Sequence, residues 1–458
     1  MIACGTEIAR CQPFCHVASA DIRNSVCDFC LSQDSSTSSF KKCSGCKFVY
    51  YCSVKCQKSA WQTYHKKECL YLRKVMPKYP TDTVRLLARI VLKLREGGMR
   101  ESADLPDGQK RYFDDLMTHQ REIVRDPERI EAFQAFYEIL RQCLDFCPPK
   151  NEILEIYCRV LINSFNIMNE EYQTIGIGLY LTASVLDHSC DPNATVVFQG
   201  KKLILRTIKN VESYESLRIS YTNLLDTKEV RRRNLAKQYY FSCACAKCET
   251  GGEEDKSVML CQGQSCHGDV PIRTGCCQIC QRLASDQELQ HYDRVKNQFE
   301  SMVLKNSSGH PEPEEQCEAF YGDMKEIFHP FDKTYLDLLE LLYEQRVSQE
   351  NFEGAFEICR LILKHYQRHY PKYDVNTALM AMKAAKLGAF LNCLNEAEMY
   401  LNVAKDILRV THGQSHSLYA VTLKKIMQDI EMGKRELKDI ALMTKKTNGA
   451  KNLIVKSG

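Results

Sequence analysis

Residues 27–69 read CDFCLSQDSSTSSFKKCSGCKFVYYCSVKCQKSAWQTYHKKEC. Eight candidate metal ligands fall there in four pairs: Cys27-x2-Cys30, Cys43-x2-Cys46, Cys52-x3-Cys56 and His65-x3-Cys69. Eight is the number that two closed tetrahedral zinc sites require. Each pair puts two ligands on one turn of backbone, and Ser44 and Gly45 are small enough for the turn between Cys43 and Cys46 to be tight. The interval between the second and third pairs is too short to wrap one ion comfortably, which favours crossed pairing. Cys27, Cys30, Cys52 and Cys56 would then hold one ion, and Cys43, Cys46, His65 and Cys69 the other. With Trp61 and a few tyrosines as its apolar stock, so small a segment cannot fold on burial alone. Structural zinc, worth roughly 10–16 kcal/mol apparent in zinc-finger peptides, supplies the missing stability.

Outward from this segment, the chain has 458 residues, 44% apolar and 26% charged, enough for roughly three domains and an ample core. Its 25 cysteines are the outlier. Disulfides do not need C-x2-C pairs, whereas tetrahedral zinc draws two thiolates from one tight turn, so the repeated pairs point to metal in a reduced compartment. Sixteen cysteines fall into three clusters, and the other nine, such as Cys143, Cys158, Cys359 and Cys393, are expected to be buried as small apolar side chains. The start has no secretory pattern, and no apolar run approaches the roughly 20 residues that span a bilayer, so no membrane partner is expected. Net charge is only +4. Residues 41–74 carry nine Lys and Arg against one acid, but thiolates and zinc lower the effective charge, and some of the lysines would screen sulfur. Peptide docking is favoured there over nucleic acid.

Residues 1–26 read as a β-rich lead-in, and Ser35 to Ser39 as a polar loop inside the cysteine segment. From about 72 to 170 the spacing is helical: Val84, Leu87, Ala88, Val91 and Leu94 share one face, as do Phe133, Phe136, Tyr137 and Leu140. Residues 194–221 alternate as short strands broken at Gln199-Gly200. An acidic, glycine-rich linker, Gly251 to Asp255, interrupts a second cysteine-rich stretch. Beyond it, Cys261-x4-Cys266 and Cys277-x2-Cys280, with His267 and Cys276 as spare candidates, read as a small zinc ribbon, the alternative being free thiols on a loop. From about 285 the chain is helical again. An offset of 42 residues aligns Phe352, Ala355, Cys359 and Tyr366 with Leu394, Ala397, Leu401 and Leu408, either a stacked-helix repeat or an irregular bundle.

The eight ligands at 27–69 resemble the MYND finger. Gly176 to Cys190, GIGLYLTASVLDHSC, followed by DPNATVVF, resembles the cofactor-binding stretch of the SET fold, with Asp187-His188-Ser189-Cys190 where that family has N-H-S-C. Glu215-x-Leu217-x-Ile219-x-Tyr221 resembles the element that ends at its catalytic tyrosine, and Tyr239, Phe241 and Cys243-x-Cys245-x2-Cys248 resemble the post-SET closure. The whole is similar to the SET and MYND domain lysine methyltransferases. This resemblance implies a multidomain α+β protein: a SET-type β fold split by a MYND zinc module, a post-SET zinc cluster and a C-terminal α-helical TPR-like domain. The expected parts are an N-terminal SET piece (1–26), the MYND module (27–69), a helical SET insertion (70–175), the SET core (176–225), the post-SET cluster (226–250), a linker with the ribbon (251–284), the helical domain (285–440) and a basic tail (441–458).

The resemblance further implies S-adenosylmethionine as cofactor and Zn2+, three ions, or four if the ribbon forms. Cys190 would complete a site with Cys243, Cys245 and Cys248. Tyr221 and Tyr239 would be catalytic; His119, Asp187, His188, Tyr221 and Phe241 would meet the cofactor; Phe165 and Tyr239 would line the lysine channel. The expected activity is protein-lysine N-methyl transfer to histone or other proteins, in cytoplasm and nucleus. The alternative is a catalytically weak or inactive adaptor that uses the MYND and helical surfaces to bind peptides. Three departures mark the chain. No G-x-G-type cofactor loop precedes residue 27, so either the N-terminus is incomplete or the cofactor site is open on one side; Asp187 replaces an asparagine; Tyr214 stands at a turn glycine.

Overall fold

The computed structural model describes residues 1–33, 40–249, 256–306 and 314–432. The Ser35–Ser39 loop, the Gly251–Asp255 linker, the basic tail and the side chain of Cys143 lie outside these residues. The chain divides into two compact units. One comprises Met1–Asp187, Asn193–Ile219 and Ala236–Phe241; the other comprises His188–Pro192, Ser220–Leu235 and the chain from Ser242 onward.

The first unit contains two three-stranded antiparallel sheets. In one, Lys202–Thr207 lies between Glu7–Cys11 and Ala194–Gln199. In the other, Thr174–Leu179 lies between Cys15–Ala18 and Ser164–Met168. Gly176 and Gly178 are needed in that middle strand. A Cβ at Gly176 would stand 2.4 Å from the Val17 carbonyl, and one at Gly178 would press on Ile167 and Tyr180. The helical spacing read through to about 170 therefore stops short. The helix Lys150–Asn163 ends where Ser164 turns extended and its hydroxyl donates to the Val160 carbonyl, and strand follows.

Within this unit the helix Asp82–Arg95, capped by Thr81, departs from the one-faced pattern read from its sequence. All residues from Val84 to Val91 are buried, Arg85 and Arg89 included. Leu94 is only partly buried. In the helix Pro127–Cys143, Asp126 caps the N-terminus and Phe133 and Leu140 are buried, while Phe133 and Phe136 set their rings 5.4 and 5.6 Å from that of Tyr157.

The second unit is mainly helical. Lys333–Ser348, Phe352–His369, Val375–Phe390 and Leu394–Thr411 follow one another and share one apolar core with Asp286–Asn306 and Glu314–Ile327. Asp332, Asn351 and Asp374 cap three of these helices with their side chains. Of the eight positions aligned by the 42-residue offset, seven are buried and Leu394 is exposed. Gly388 lets its helix approach the next, since a Cβ there would meet Ala397 and Phe356 at 3.2 Å. Cys158 and Cys359 are buried as expected, whereas Cys393 is only half-buried, at the N-cap of Leu394–Thr411.

Candidate functional site: three thiolate clusters and a histidine relay

The crossed pairing read from the sequence is the arrangement the fold brings together. Cys27, Cys30, Cys52 and Cys56 place their sulfurs within 4.8 Å of one another, and so do the ligand atoms of Cys43, Cys46, His65 and Cys69. A tetrahedron with zinc–sulfur arms of 2.3 Å has edges of about 3.8 Å. Cys30 and Cys52 lie 3.7 Å apart, Cys43 and Cys69 3.9 Å, and His65 Nε2 lies 3.4 and 3.6 Å from the sulfurs of Cys43 and Cys46. Both sites match the size of a zinc ion.

What holds the second of these sites is a buried ionic network. The other ring nitrogen of His65 meets Glu68 at 3.0 Å, the carboxylate–histidine arrangement that orients metal ligands. Glu68 and Asp28 in turn receive Arg85 and Arg89: Arg85 contacts Asp28 at 2.7 Å and Glu68 at 2.8 Å, and Arg89 contacts Glu68 at 2.7 Å and Asp28 at 3.1 Å. Burial alone would raise both carboxylates. The two guanidiniums instead hold Asp28 down at about 2 and Glu68 well below the usual carboxylate range. The Arg89 guanidinium also lies 3.8 Å from the Tyr64 ring centre.

The first zinc site is braced from a distant part of the chain. Gly200, at φ +56°, brings the hairpin turn so close to Cys30 that a Cβ would stand 2.6 Å from the Cys30 carbonyl, and the next N–H, of Lys201, donates to that carbonyl at 3.1 Å. The Lys201 ammonium sits 4.0 Å from the Phe29 ring centre and is attracted by the thiolates of Cys30 and Cys56. This cation comes from outside the lysine-rich 41–74 segment.

In the second unit, Cys190, Cys243, Cys245 and Cys248 converge, with Cys190 lying 3.9 Å from Cys243 and 3.6 Å from Cys248. The fully buried Arg231 donates to the Cys190 sulfur at 3.2 Å and to the Asp226 carbonyl at 2.6 Å, placing a positive charge against a four-thiolate site. His188 completes a relay. Burial and the nearby Arg231 lower its pKa to about 4, so the ring is neutral. Its Nδ1 accepts the Tyr221 N–H at 3.0 Å, leaving the ring proton on Nε2, 3.3 Å from the Cys190 sulfur. The Tyr221 ring lies 5.4 Å from that of His188.

The remaining predicted site residues belong to the first unit. Asp187 is exposed and reaches Arg218 only at 3.9 Å, a loose surface pair. Phe165 sets its ring edge-on to Tyr180, 5.9 Å away. Tyr239 closes the helix Lys228–Tyr239, and burial raises its phenol, which stays protonated at neutral pH. His119 has left-handed backbone at φ +47° and lies 6.0 Å from the ring of Tyr240. Phe241 is half-buried. Tyr214 is exposed and does not take the left-handed conformation that would call for glycine.

A family model described as the MYND finger matches residues 27–69. The chain is 32% identical over 420 residues to the histone-lysine N-methyltransferase SMYD3 of Homo sapiens, covering 90% of each. It is 28% identical over 431 residues to the histone-lysine N-methyltransferase ASHR1 of Arabidopsis thaliana, covering 90% of this chain and 88% of that one. It is 26% identical over 434 residues to the N-lysine methyltransferase SMYD2 of Homo sapiens, covering 93% of each. The chain belongs to the SMYD family of lysine methyltransferases.

Several residues of this SMYD chain that sequence reasoning passed over are structurally central. Asn193 ties two strands: its side chain accepts the Arg218 N–H at 2.7 Å and donates to the Ser216 carbonyl at 2.8 Å. The Asp-Pro-Asn sequence at 191–193 was the available signal. Tyr240, at φ +59°, donates to Asp126 at 3.2 Å, linking the residue between Tyr239 and Phe241 to a helix cap. Nothing local in the sequence distinguishes it from its aromatic neighbours. Zinc is the metal to which the MYND match and the thiolate clusters point.

Proposed function

We propose that this chain is an S-adenosylmethionine-dependent protein-lysine N-methyltransferase. The relatives named as lysine methyltransferases support the reaction class. The observation that carries the assignment to particular residues is the relay from the Cys190 cluster through neutral His188 to the Tyr221 backbone. The residues suit the cofactor. Half-buried aromatic rings at Tyr221 and Phe241 can face a sulfonium cation. His119, Asp187, His188, Tyr221 and Phe241 are the residues that would hold it.

When bound, S-adenosylmethionine supplies an activated methyl group on sulfur. The chain's own residues do the rest. A lysine must arrive as a neutral amine, and an aromatic channel with Phe165 and Tyr239 favours that form by excluding water. Tyr239, its phenol kept protonated by burial, and Tyr221 orient the amine for in-line attack. Partners in this reading are a substrate protein, histone or other, and peptides at the MYND module; thiolate zinc sites fit the reducing cytoplasm and nucleus.

Full-length protein with its zinc intact, incubated with methyl-tritiated S-adenosylmethionine and a mixture of histones and cell-extract proteins, should label lysine side chains, and calorimetric titration should register cofactor binding. Failure of both would overturn the enzyme reading in favour of the peptide-binding adaptor.

A further inference from the structure

The cysteines between 261 and 280 lie outside the matched finger and outside the Cys190 cluster. The fold gathers four of them: the sulfurs of Cys261, Cys266, Cys277 and Cys280 lie within 4.8 Å of one another, Cys261 to Cys280 at 3.6 Å and Cys266 to Cys277 at 3.7 Å, the edge lengths of the other clusters. The spare candidates are excluded by where they sit. His267 is exposed and outside the group, and the Cys276 sulfur turns to the carbonyl and amide oxygens of Gln281.

The backbone around the second pair repeats that of the finger. In Cys27-x2-Cys30 the next residue, Leu31, has φ +56° and donates its N–H to the Cys27 carbonyl at 2.8 Å, while Cys27 N–H donates to Ser32 five residues on. In Cys277-x2-Cys280 the next residue, Gln281, has φ +60° and donates to the Cys277 carbonyl at 3.1 Å, while Cys277 N–H donates to Arg282 five residues on. Cys43-x2-Cys46 has the same feature, with Lys47 at φ +53° donating to Cys43 at 3.0 Å. Non-glycine residues adopt this conformation rarely. Three recurrences, each right after a C-x2-C pair, mark a loop shaped for a metal. The N–H groups of Ile279 and Cys280 also point at the Cys277 sulfur, and that of Gly263 at Cys261, at 3.4 to 3.5 Å, the donors a thiolate accepts. Gly268 is required beside them, since a Cβ would stand 2.7 Å from the Cys277 sulfur.

We propose that residues 258–283 form a zinc ribbon in which Cys261, Cys266, Cys277 and Cys280 hold one further tetrahedral Zn2+, and that this ion fixes the start of the helical array. The hairpin it closes pairs Val258–Leu260 with Asp269–Pro271, three residues a side, too short to be stable unaided. The ribbon is joined to the helices at both ends. On one side Ser285 and Glu288 form a capping box into Asp286–Asn306, with Arg282 on the same carboxylate at 2.9 Å. On the other, the buried Asp332 accepts the Val258 N–H at 2.8 Å and the Tyr292 hydroxyl at 2.6 Å while capping Lys333–Ser348. Met259, Cys261, Val270 and Cys277 lie in the core of the helical unit.

The test is metal content of the full chain purified without chelator, for wild type, for a Cys266→Ser/Cys280→Ser double variant and for Cys276→Ser as control. Wild type and control should hold four zinc ions per chain and the double variant three, and the amides of Met259 and Val270 should lose at least tenfold of their hydrogen-exchange protection in the double variant while those of 27–69 do not. Three ions in wild type, an unchanged count in a soluble double variant, or iron in place of the fourth zinc would overturn the proposal. The wild-type count decides the matter even if the double variant fails to fold.

Discussion

The Nε2–H of His188 lies 3.3 Å from the sulfur of Cys190, so a metal ligand and the turn that carries Tyr221 share one imidazole. A phenyl ring keeps the volume and loses both hydrogen bonds. His188→Phe should therefore weaken zinc retention at the Cys190 cluster, measured by competition with a colorimetric chelator, and lower methyl transfer by about 10–100-fold, the usual cost of losing an outer-shell partner. The MYND sites should release zinc at the wild-type rate in the same experiment.

Tyr221→Phe keeps the ring and its place beside His188. If the hydroxyl orients the lysine amine, turnover should fall by about 10²–10³, the usual loss for one preorganised polar contact, with thermal melting unchanged. A variant that melts like wild type and methylates at the wild-type rate would remove Tyr221 from the reaction.

Glu68 pairs with two arginines and orients one zinc ligand. Breaking a buried ion pair by removing one partner typically costs about 3–5 kcal/mol. Glu68→Gln should thus lower the melting temperature of the first unit markedly and release one MYND zinc more readily. Replacement of the exposed Asp187 by asparagine should leave melting unchanged.

In the helical unit, burial lowers the pKa of His365 to about 3 and of His369 to about 4, with neighbouring cations, Lys256 among them, adding to the shift. Both folded values lie below the ordinary value of about 6.5, so the unfolded chain binds these protons first. Their contribution to stability is complete above about pH 6.5 and is lost as pH falls toward 4 and 3. Urea unfolding of this unit should weaken between pH 7 and pH 5, by up to about 1.4 kcal/mol per pH unit per histidine. A His365→Phe/His369→Phe variant should show a shallower decline, and equal slopes would refute the assignment.

The ligand pairs of residues 27–69 were legible because their spacing is local, each pair being made by one turn whatever the rest of the chain does, whereas Cys190, 53 residues before Cys243, came only from the family resemblance. The charged network was not. Asp28, Glu68, Arg85 and Arg89 are residue types that normally face water, and only their mutual neutralisation permits burial, which no single stretch of sequence displays. The strand Thr174–Leu179 had no strand pattern of its own for the converse reason: glycine, usually a strand breaker, is there what allows two neighbouring strands to close on the backbone. The cysteine pairs marked Cys261, Cys266, Cys277 and Cys280, but only the fold set the two spare candidates apart, His267 by its exposure and Cys276 by the direction of its sulfur.

Asp28 and Glu68 are inside the finger by sequence, but the guanidiniums that satisfy them come from Arg85 and Arg89, beyond residue 69. Excised at its family boundaries, the finger would keep all eight ligands and present two carboxylates stripped of their counter-ions, one of them bonded to His65. It is a movable module in evolution's vocabulary only if the following helix travels with it: a recombinant fragment ending near residue 95 should be a soluble, zinc-loaded peptide, and one ending at 69 a metal-hungry, poorly ordered one.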